Sequence, residues 1–492
     1  MNRPFRPLAL AGLACGAAAA ASALYHRYKP LPTGLSVAGL WRGGQVELLA
    51  DLTYRAGSES QTNQQIFRAV EGVIERAESF LMLDMFLFNS DYDRSGGSTY
   101  PALSQRLTDA LLAKRAAAPG MPIVLITDPI NTFYGSYSLP HLEQLRAAGV
   151  QVVETRLEAL RDSNPAYSGV YRALLGHLPQ LPAVLPNALA PGGPRVSPNA
   201  YARLFNFKAN HRKVALSESE AVVSSANPHD ASAPNSNLGL RVTGPVVADL
   251  LASELAVLDF SAPDLARDLR GLRAAEVSLG SESEAEVQLV TEGGIRDAVL
   301  EMLAGADAGD RVCLGMFYLA ERAVIAGLKA AVTRGVSVQV VLDLNIDAFG
   351  RKKTGLPALP VARELMDAGV QVRWYATDGE QFHPKYLAVF RDPAAHADAG
   401  GFELVSGSGN FTRRNICNYN LETSLRVRAA GDSALAQEFA AYWSLIWNNE
   451  PVEGAEATFT LPYEAKAGGG VLKPALQTLV YRTQEATGLG TF

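Results

Sequence analysis

The chain repeats itself over long units, and that repeat constrains its fold more than any other feature. Ile66, Val70, Val73, Ile74 and Ala77 fall at helical spacing, and an apolar run (80–88) follows them. In the second half Ile295, Ala298, Val299, Met302 and Leu303 are spaced in the same way, ahead of the apolar run 312–318. Residues 123–128 and 338–343 are then matching strand-like runs ending in Asp128 and Asp343, with an asparagine soon after each, at 131 and 345. A third pair, 148–152 and 368–372, reads Ala-Gly-Val-Gln-Val in both halves. Helical patterns alternating with buried strands imply βαβ units. The expected fold class is α/β, with two pseudo-symmetric halves, each a mostly parallel mixed sheet flanked by helices.

The 492 residues allow two to four domains at about 100–200 residues each. The repeat divides them into an N-terminal half (45–260), a charged, Gly/Ser-containing linker (261–285), a C-terminal half (286–450) and a tail (451–492). The halves are unequal. Gly149 to His211 spans 62 residues and Gly369 to His383 only 14, so the first half carries about 48 extra, roughly 157–204. That insertion is rich in Pro, Leu and Ala, and a long apolar insertion in a compact domain is usually functional or disordered. Ahead of the repeat, residues 8–24 are uncharged and mostly Ala, Leu and Gly, with Arg3 and Arg6 before them and His26, Arg27 and Lys29 after. This reads as a secretory signal cleaved after Ala23, or as an uncleaved anchor at the short edge of spanning length. A lipoprotein reading at Cys15 is weaker, because Gly12 stands where an aliphatic residue is usual. The expected location is membrane-associated or exported, as at a bacterial inner membrane or periplasm.

Composition narrows the function. Apolar residues make up 48% and charged residues 19%, which excludes a disordered chain. The net charge of −6, without a basic tail, disfavours sequence-independent coating of nucleic acid. Cys15, Cys313 and Cys417 are too few and too scattered for a disulfide framework or a zinc cluster.

The chemistry lies in a pair of His-x-Lys motifs, each placed after the third strand of its half. His211 and Lys213 precede an apolar run, and so do His383 and Lys385. Two residues apart on a strand, each His and Lys share one face. A small-residue turn ending in asparagine lies downstream of each motif, at Ser225 and Asn227 and at Ser408 and Asn410. With 7 histidines in the chain, chance would give fewer than one His-x-Lys, so two at matching places in a repeat are not noise. Two lysines, with amides, hydroxyls and backbone N–H groups in the turns, can neutralise and orient a phosphoryl group without a metal. One imidazole can attack phosphorus, and the other can protonate the leaving alcohol and then deprotonate the incoming water or alcohol. Both histidines must then face one phosphate.

These residues resemble the phospholipase D superfamily, whose signature is His-x-Lys-x4-Asp followed by a Gly/Ser-Ser-x-Asn turn, present twice. The resemblance spans about 45 to 450, and the Asn-His-Arg-Lys wording of the first motif looks most like the bacterial cardiolipin synthase branch. It implies two α/β halves sharing one active site, no cofactor and no metal. It would make His211 the nucleophile and His383 the general acid/base. Lys213, Lys385, Asn227 and Asn410 would be phosphate ligands, supported by Ser225 and Ser408. Glu422, in Asn420-Leu-Glu422, matches the trailing acid that orients the opposite histidine. In the first half Asn237-Leu-Gly239 stands there, without the acid. Glu218 takes the signature aspartate position of the first motif, and Phe390 takes that of the second, with Asp392 two residues beyond. Pro384 between His and Lys is also unusual.

The resemblance implies a phosphodiesterase or phosphatidyltransferase acting on phospholipid head groups, with a phospholipid and a membrane surface as partners and no nucleic acid. Both motifs lie in one chain, so a monomer would suffice. The alternatives are a metal-independent nuclease of the same superfamily, using Arg203, Lys208, Arg212, Arg413 and Arg414 as a phosphate track, or a degenerate protein that binds anionic lipid without catalysis. Asp128 and Asp343 read as structural caps ahead of site residues. Trp374 and Tyr375 either line the site or pack in the core, Trp443 and Trp447 read as core, and His177, His229 and His396 read as surface residues.

Overall fold

The computed structural model describes residues 5–93, 97, 99–275, 284–348, 351–394, 401–466 and 472–490. In chain order its strands are β1 (Arg42–Ala56), β2 (Glu59–Asn63), β3 (Leu81–Met85), β4 (Ile123–Thr127), β5 (Gln151–Glu154), β6 (Lys213–Ser217), β7 (Glu220–Ser224) and β8 (Asn237–Thr243). The second half adds β9 (Ala285–Thr291), β10 (Arg311–Met316), β11 (Ser337–Leu342), the small hairpin β12 (Asp347–Ala348) and β13 (Arg351–Lys352), and β14 (Gln371–Tyr375). It continues with β15 (Lys385–Phe390), β16 (Phe402–Gly407), β17 (Thr423–Ala429) and β18 (Thr460–Pro462). All but the hairpin join one sheet in the order β18-β14-β11-β10-β15-β16-β17-β9-β1-β8-β7-β6-β3-β4-β5, with β2 paired to β1.

The helices are where their apolar spacing places them. Helix Ile66–Arg76 buries Ile66, Phe67, Val70, Val73 and Ile74 on one stripe. Its counterpart, Gly293–Ala304, buries Ile295, Ala298, Val299, Met302 and Leu303. At roughly 2 kcal/mol for each large side chain removed from water, these stripes hold the helices on the sheet. The sheet is mixed, but antiparallel pairs outnumber parallel ones, contrary to the expectation of mostly parallel pairing. Parallel pairing is confined to β3-β4-β5 and β10-β11-β14. The motif strands β6 and β15 run antiparallel to β3 and β10. Glu218 and Ser219 alone connect β6 to β7, and so short a loop can join only antiparallel strands.

One strand spans both halves. In β1, Gln45 to Asp51 pair with β8 and Arg42 to Gly44 pair with β9. A side chain at Gly44 would place its Cβ 2.8 Å from the Thr243 carbonyl oxygen, so the crossing needs glycine. The motif loops of each half then meet strand starts of the other, through bridges Asn210–Leu421 and Ser236–Phe382.

The tail reaches the opposite edge, where β18 pairs with β14, and Tyr481 donates to the Ala320 carbonyl at 3.0 Å. Trp374, Tyr375 and Trp443 are fully buried, and Trp443 stacks on Trp447. Trp374 and Tyr375 are therefore core residues, with Tyr375 stacked on Phe382 beside the second motif. The insertion holds helices Pro165–Ala173 and Pro198–Leu204, and the N-terminal helix Phe5–Tyr28 lies against the first of them. Among the described residues no helix is long and apolar enough to cross a membrane.

Candidate active site

Each His-x-Lys motif enters its strand from a cradle built by the same contacts. Asp128 accepts the N–H groups of Ile130 and Asn210, at 2.7 Å each. Asp343 likewise accepts those of Asn345 (2.5 Å) and Phe382 (2.8 Å). These aspartates are caps, as their strand-end positions suggested. Burial raises both carboxyls to about 7. Asn131 and Asn345 each donate through Nδ2 at 2.8 Å, to the carbonyls of Phe86 and Phe317.

Phe86 and Phe317 are the residues that sequence reasoning missed. The His211 and Phe86 ring centroids are 4.7 Å apart, and those of His383 and Phe317 are 5.0 Å apart. The ammonium groups of Lys213 and Lys385 lie 4.9 and 5.3 Å from the same two rings. Each ring thus supports both halves of its motif. The signal was a Met-Phe pair at matching places in the two repeat runs, at 85–86 and 316–317, but a phenylalanine ending a buried strand also reads as ordinary core.

Each histidine is held by the other half. His211 Nδ1 lies 3.0 and 3.1 Å from the two carboxylate oxygens of Glu422. Ser408 Oγ and Asn415 Nδ2 also donate to Glu422. His383 Nδ1 lies 3.2 Å from Asn237 Oδ1, which accepts from Ser225 Oγ at 3.0 Å. Asn237 Nδ2 donates to the Asn235 carbonyl at 3.1 Å, so the amide oxygen is the atom that faces the ring. Asn237, not Gly239, therefore stands opposite Glu422. The sequence alignment was two residues out, because β8 and β17 start at different offsets from their turns. The first half lacks the acid, as expected, and an amide replaces it. An acceptor facing each Nδ1 favours hydrogen on that atom and makes Nε2 the atom suited to react.

The charges converge. Burial, followed by Lys213, Lys385 and Arg414, holds His211 well below the ordinary histidine range. Burial, followed by Lys385, Lys213 and His211, does the same for His383. Burial pushes Lys213 down to about 7 and Lys385 well below its usual value, while it pushes Glu422 up to about 7. Two lysines and two histidines that perturb one another occupy one site. Asn227 and Asn410 are buried, and their side-chain oxygens have no partner.

Other sequence candidates lie elsewhere. Glu218 is at the far end of β6 from His211 and accepts the N–H groups of Glu78, Ser79 and Phe80, so it supports a turn rather than the site. Phe390 lies under the Arg311 guanidinium at 4.5 Å. The basic track breaks up. Arg212 is fully buried between Glu254 (3.1 Å) and Glu292 (2.9 Å), and Lys208 is buried against Asp162. Arg413 donates to the Ser163 carbonyl at 3.2 Å and Arg414 to that of Gly490 at 2.9 Å. Arg203 lines a cleft of about 300 Å³ beside the first motif, with Pro129, Tyr134, Thr155, Arg156 and Tyr171. His177 is exposed. His229 is buried rather than on the surface, with Nε2 2.7 Å from the Asp91 carbonyl. His396 lies outside the described residues.

Residues 299–447 match the family model described as cardiolipin synthase, PLD-like domain. The crystal structure of phosphatidylserine synthase from Haemophilus influenzae Rd KW20 is similar at a TM-score of 0.56 and 11% identity, over 92% of this chain and 96% of that one. Nuc, a phospholipase D family member from Salmonella typhimurium, is 21% identical over 36% of this chain and 99% of its own, at a TM-score of 0.27. No curated protein sequence matches the chain. With the motif doubled, the halves joined through β1 and residues 299–447 matched by that model, the chain is similar to the phospholipase D superfamily, and its second half carries a cardiolipin synthase, PLD-like domain.

Proposed function

We propose that the protein cleaves or exchanges the head-group phosphodiester of a phospholipid through a phosphohistidine on His211. The observation that carries the role assignment is the unequal backing of the two histidines, a carboxylate behind His211 and an amide behind His383. When His211 Nε2 attacks phosphorus, the bond to the leaving alkoxide breaks and the ring becomes a cation. Glu422 stabilises that cation across the Nδ1–H bond. With the substrate phosphodiester's negative charge offsetting the two lysines, His383 takes up a second proton, on Nε2; backed by a neutral oxygen rather than a carboxylate, it gives that proton up readily and delivers it to the alkoxide. It then takes a proton from water or a second alcohol, whose oxygen attacks phosphorus as the P–N bond breaks and His211 is restored. Lys213 and Lys385 offset the phosphoryl charge throughout. The phospholipid substrate is supported by the match of the second half to a cardiolipin synthase domain and by the similar fold of a phosphatidylserine synthase.

The test is an alkaline detergent quench, in which a P–N bond survives, of the protein with phosphatidylglycerol labelled at phosphorus, with EDTA present. Label should bind the wild-type protein, disappear in His211→Ala and accumulate in His383→Ala. Covalent label that survives His211→Ala would overturn the assignment. Cleavage of single-stranded DNA without lipid turnover would replace the substrate class with nucleic acid. No turnover of either would leave a lipid-binding protein.

A further inference from the structure

We infer that the N-terminal helix Phe5–Tyr28 and the insertion 157–204 form one docking face for an anionic lipid bilayer. This rests on the proposed lipid substrate and specifies how the chain meets it.

The two segments are built as a unit. Gly169, on helix Pro165–Ala173, faces the N-terminal helix so closely that a methyl there would strike the Ala19 carbonyl and the Ala23 methyl. The His26 carbonyl accepts the Asp162 N–H at 3.0 Å. Lys29 Nζ donates to the Glu158 carbonyl and Arg161 Nε to the Lys29 carbonyl, both at 2.8 Å. The exposed apolar side chains are concentrated here. Of sixteen large apolar residues exposed among the described ones, ten lie on these two segments, and Phe205 adjoins them. At about 100° per residue, Leu13, Leu24, Tyr25 and Tyr28 fall within about a third of a helical turn, opposite Ala19 and Ala23. Their helix therefore packs on the protein through alanine and presents leucine and tyrosine outward. Tyrosines at the end of such a helix suit the head-group level of a bilayer. Leu178, Leu181 and Val184 of the insertion are likewise exposed.

Charge selects the occupant. Residues 12–30 hold two basic and no acidic residues, and 157–204 hold four basic and two acidic. That gives +4 on the two segments against −6 for the whole chain, which leaves −10 elsewhere. An anionic bilayer would attract this face and repel the others. The position suits the chemistry. Insertion residues Tyr171 and Arg203 share the cleft with Thr155, and Thr155 Oγ1 accepts from Asn210, next to His211, at 2.8 Å.

Flotation of the full chain with vesicles tests the face separately from catalysis. The protein should float with phosphatidylcholine vesicles that contain phosphatidylglycerol, roughly tenfold more tightly than with pure phosphatidylcholine, and salt should weaken it. Leu178→Asp with Leu181→Asp, at unchanged circular dichroism, should weaken flotation by at least about tenfold. Leu476→Asp, exposed outside the face, should not. Equal flotation of all variants would overturn the inference, and so would a dimer formed through this face without flotation. Turnover of a short-chain, monomeric phosphodiester by the wild-type protein tests the catalytic reading alone. Flotation without that turnover would sink catalysis, and turnover without flotation would sink the docking face.

Discussion

At the scale of single residues, the site balances two buried ammonium groups against one buried carboxylate. Lys213 is the informative group, because burial brings it to about 7 while Glu422, Asp84 and Asp128 pull upward. Its charge is present below that value and lost above it. Glu422, at about 7, ionises over the same range, so both changes make the site less attractive to an anion as pH rises. Sulfate, which stays a dianion, should therefore bind most tightly in mild acid and weaken through neutrality. The fall should approach about tenfold per pH unit for each proton linked. Calorimetric titration of sulfate measures this, and an affinity that stays flat across neutrality would show that the lysine keeps its proton. The histidines, lysines and turn asparagines that come together here were legible in the sequence, since a doubled motif marks them by position, and Glu422 came from the family resemblance. Asn237 was misplaced by two residues and Phe86 and Phe317 passed unnoticed, because an amide and a phenylalanine carry no distinctive pattern of their own. Arg212 was offered as part of a phosphate track, yet its partners Glu254 and Glu292 come from distant elements and become adjacent only in the fold.

At the scale of elements, the repeat disclosed which segments are helix and strand, and the βαβ rule then over-extended parallel pairing past the third strand of each half. What that rule could not show is how the motif strand of the second half is seated. Gly315 on β10 pairs directly with Tyr386 on β15, one residue after Lys385. A Cβ at 315 would clash with Cζ, Oη and Cε1 of Tyr386. That ring is boxed by Phe439, Tyr442 and Trp443, with centroids 5.4, 5.9 and 6.2 Å away. It cannot retreat without moving the helix Ala434–Asn448 behind it. Gly315→Ala should therefore destabilise the protein by about 1–3 kcal/mol. Adding Tyr386→Leu should recover part of that loss. Urea unfolding of the single and double variants would decide it, and an unchanged midpoint in Gly315→Ala would mean that the ring has room to move.

At the scale of the whole molecule, the two halves are welded rather than merely adjacent. β1 carries one sheet through both, and each half holds the other's motif histidine. Beneath the site Arg212, from the first half, donates to Glu254 and to Glu292 of the second. Glu292 in turn accepts the N–H groups of Glu422 at 3.1 Å and Ser36 at 2.7 Å. Its backbone sits at φ 46°, a conformation that costs a non-glycine residue of order 1–3 kcal/mol and persists only when its surroundings enforce it. Arg212→Met removes the cation and strands two buried carboxylates, which should cost about 3–5 kcal/mol. The loss should be felt in both halves at once. Trp374 and Trp443 are buried in the second half, so their fluorescence reports unfolding there although Arg212 belongs to the first. If the sheet is one cooperative unit, the tryptophan midpoint and the circular dichroism midpoint should fall together in Arg212→Met. A tryptophan transition that stays at its wild-type midpoint while the dichroism shifts would mean that the halves unfold independently, and that neither β1 nor the buried arginine binds them into one folding unit.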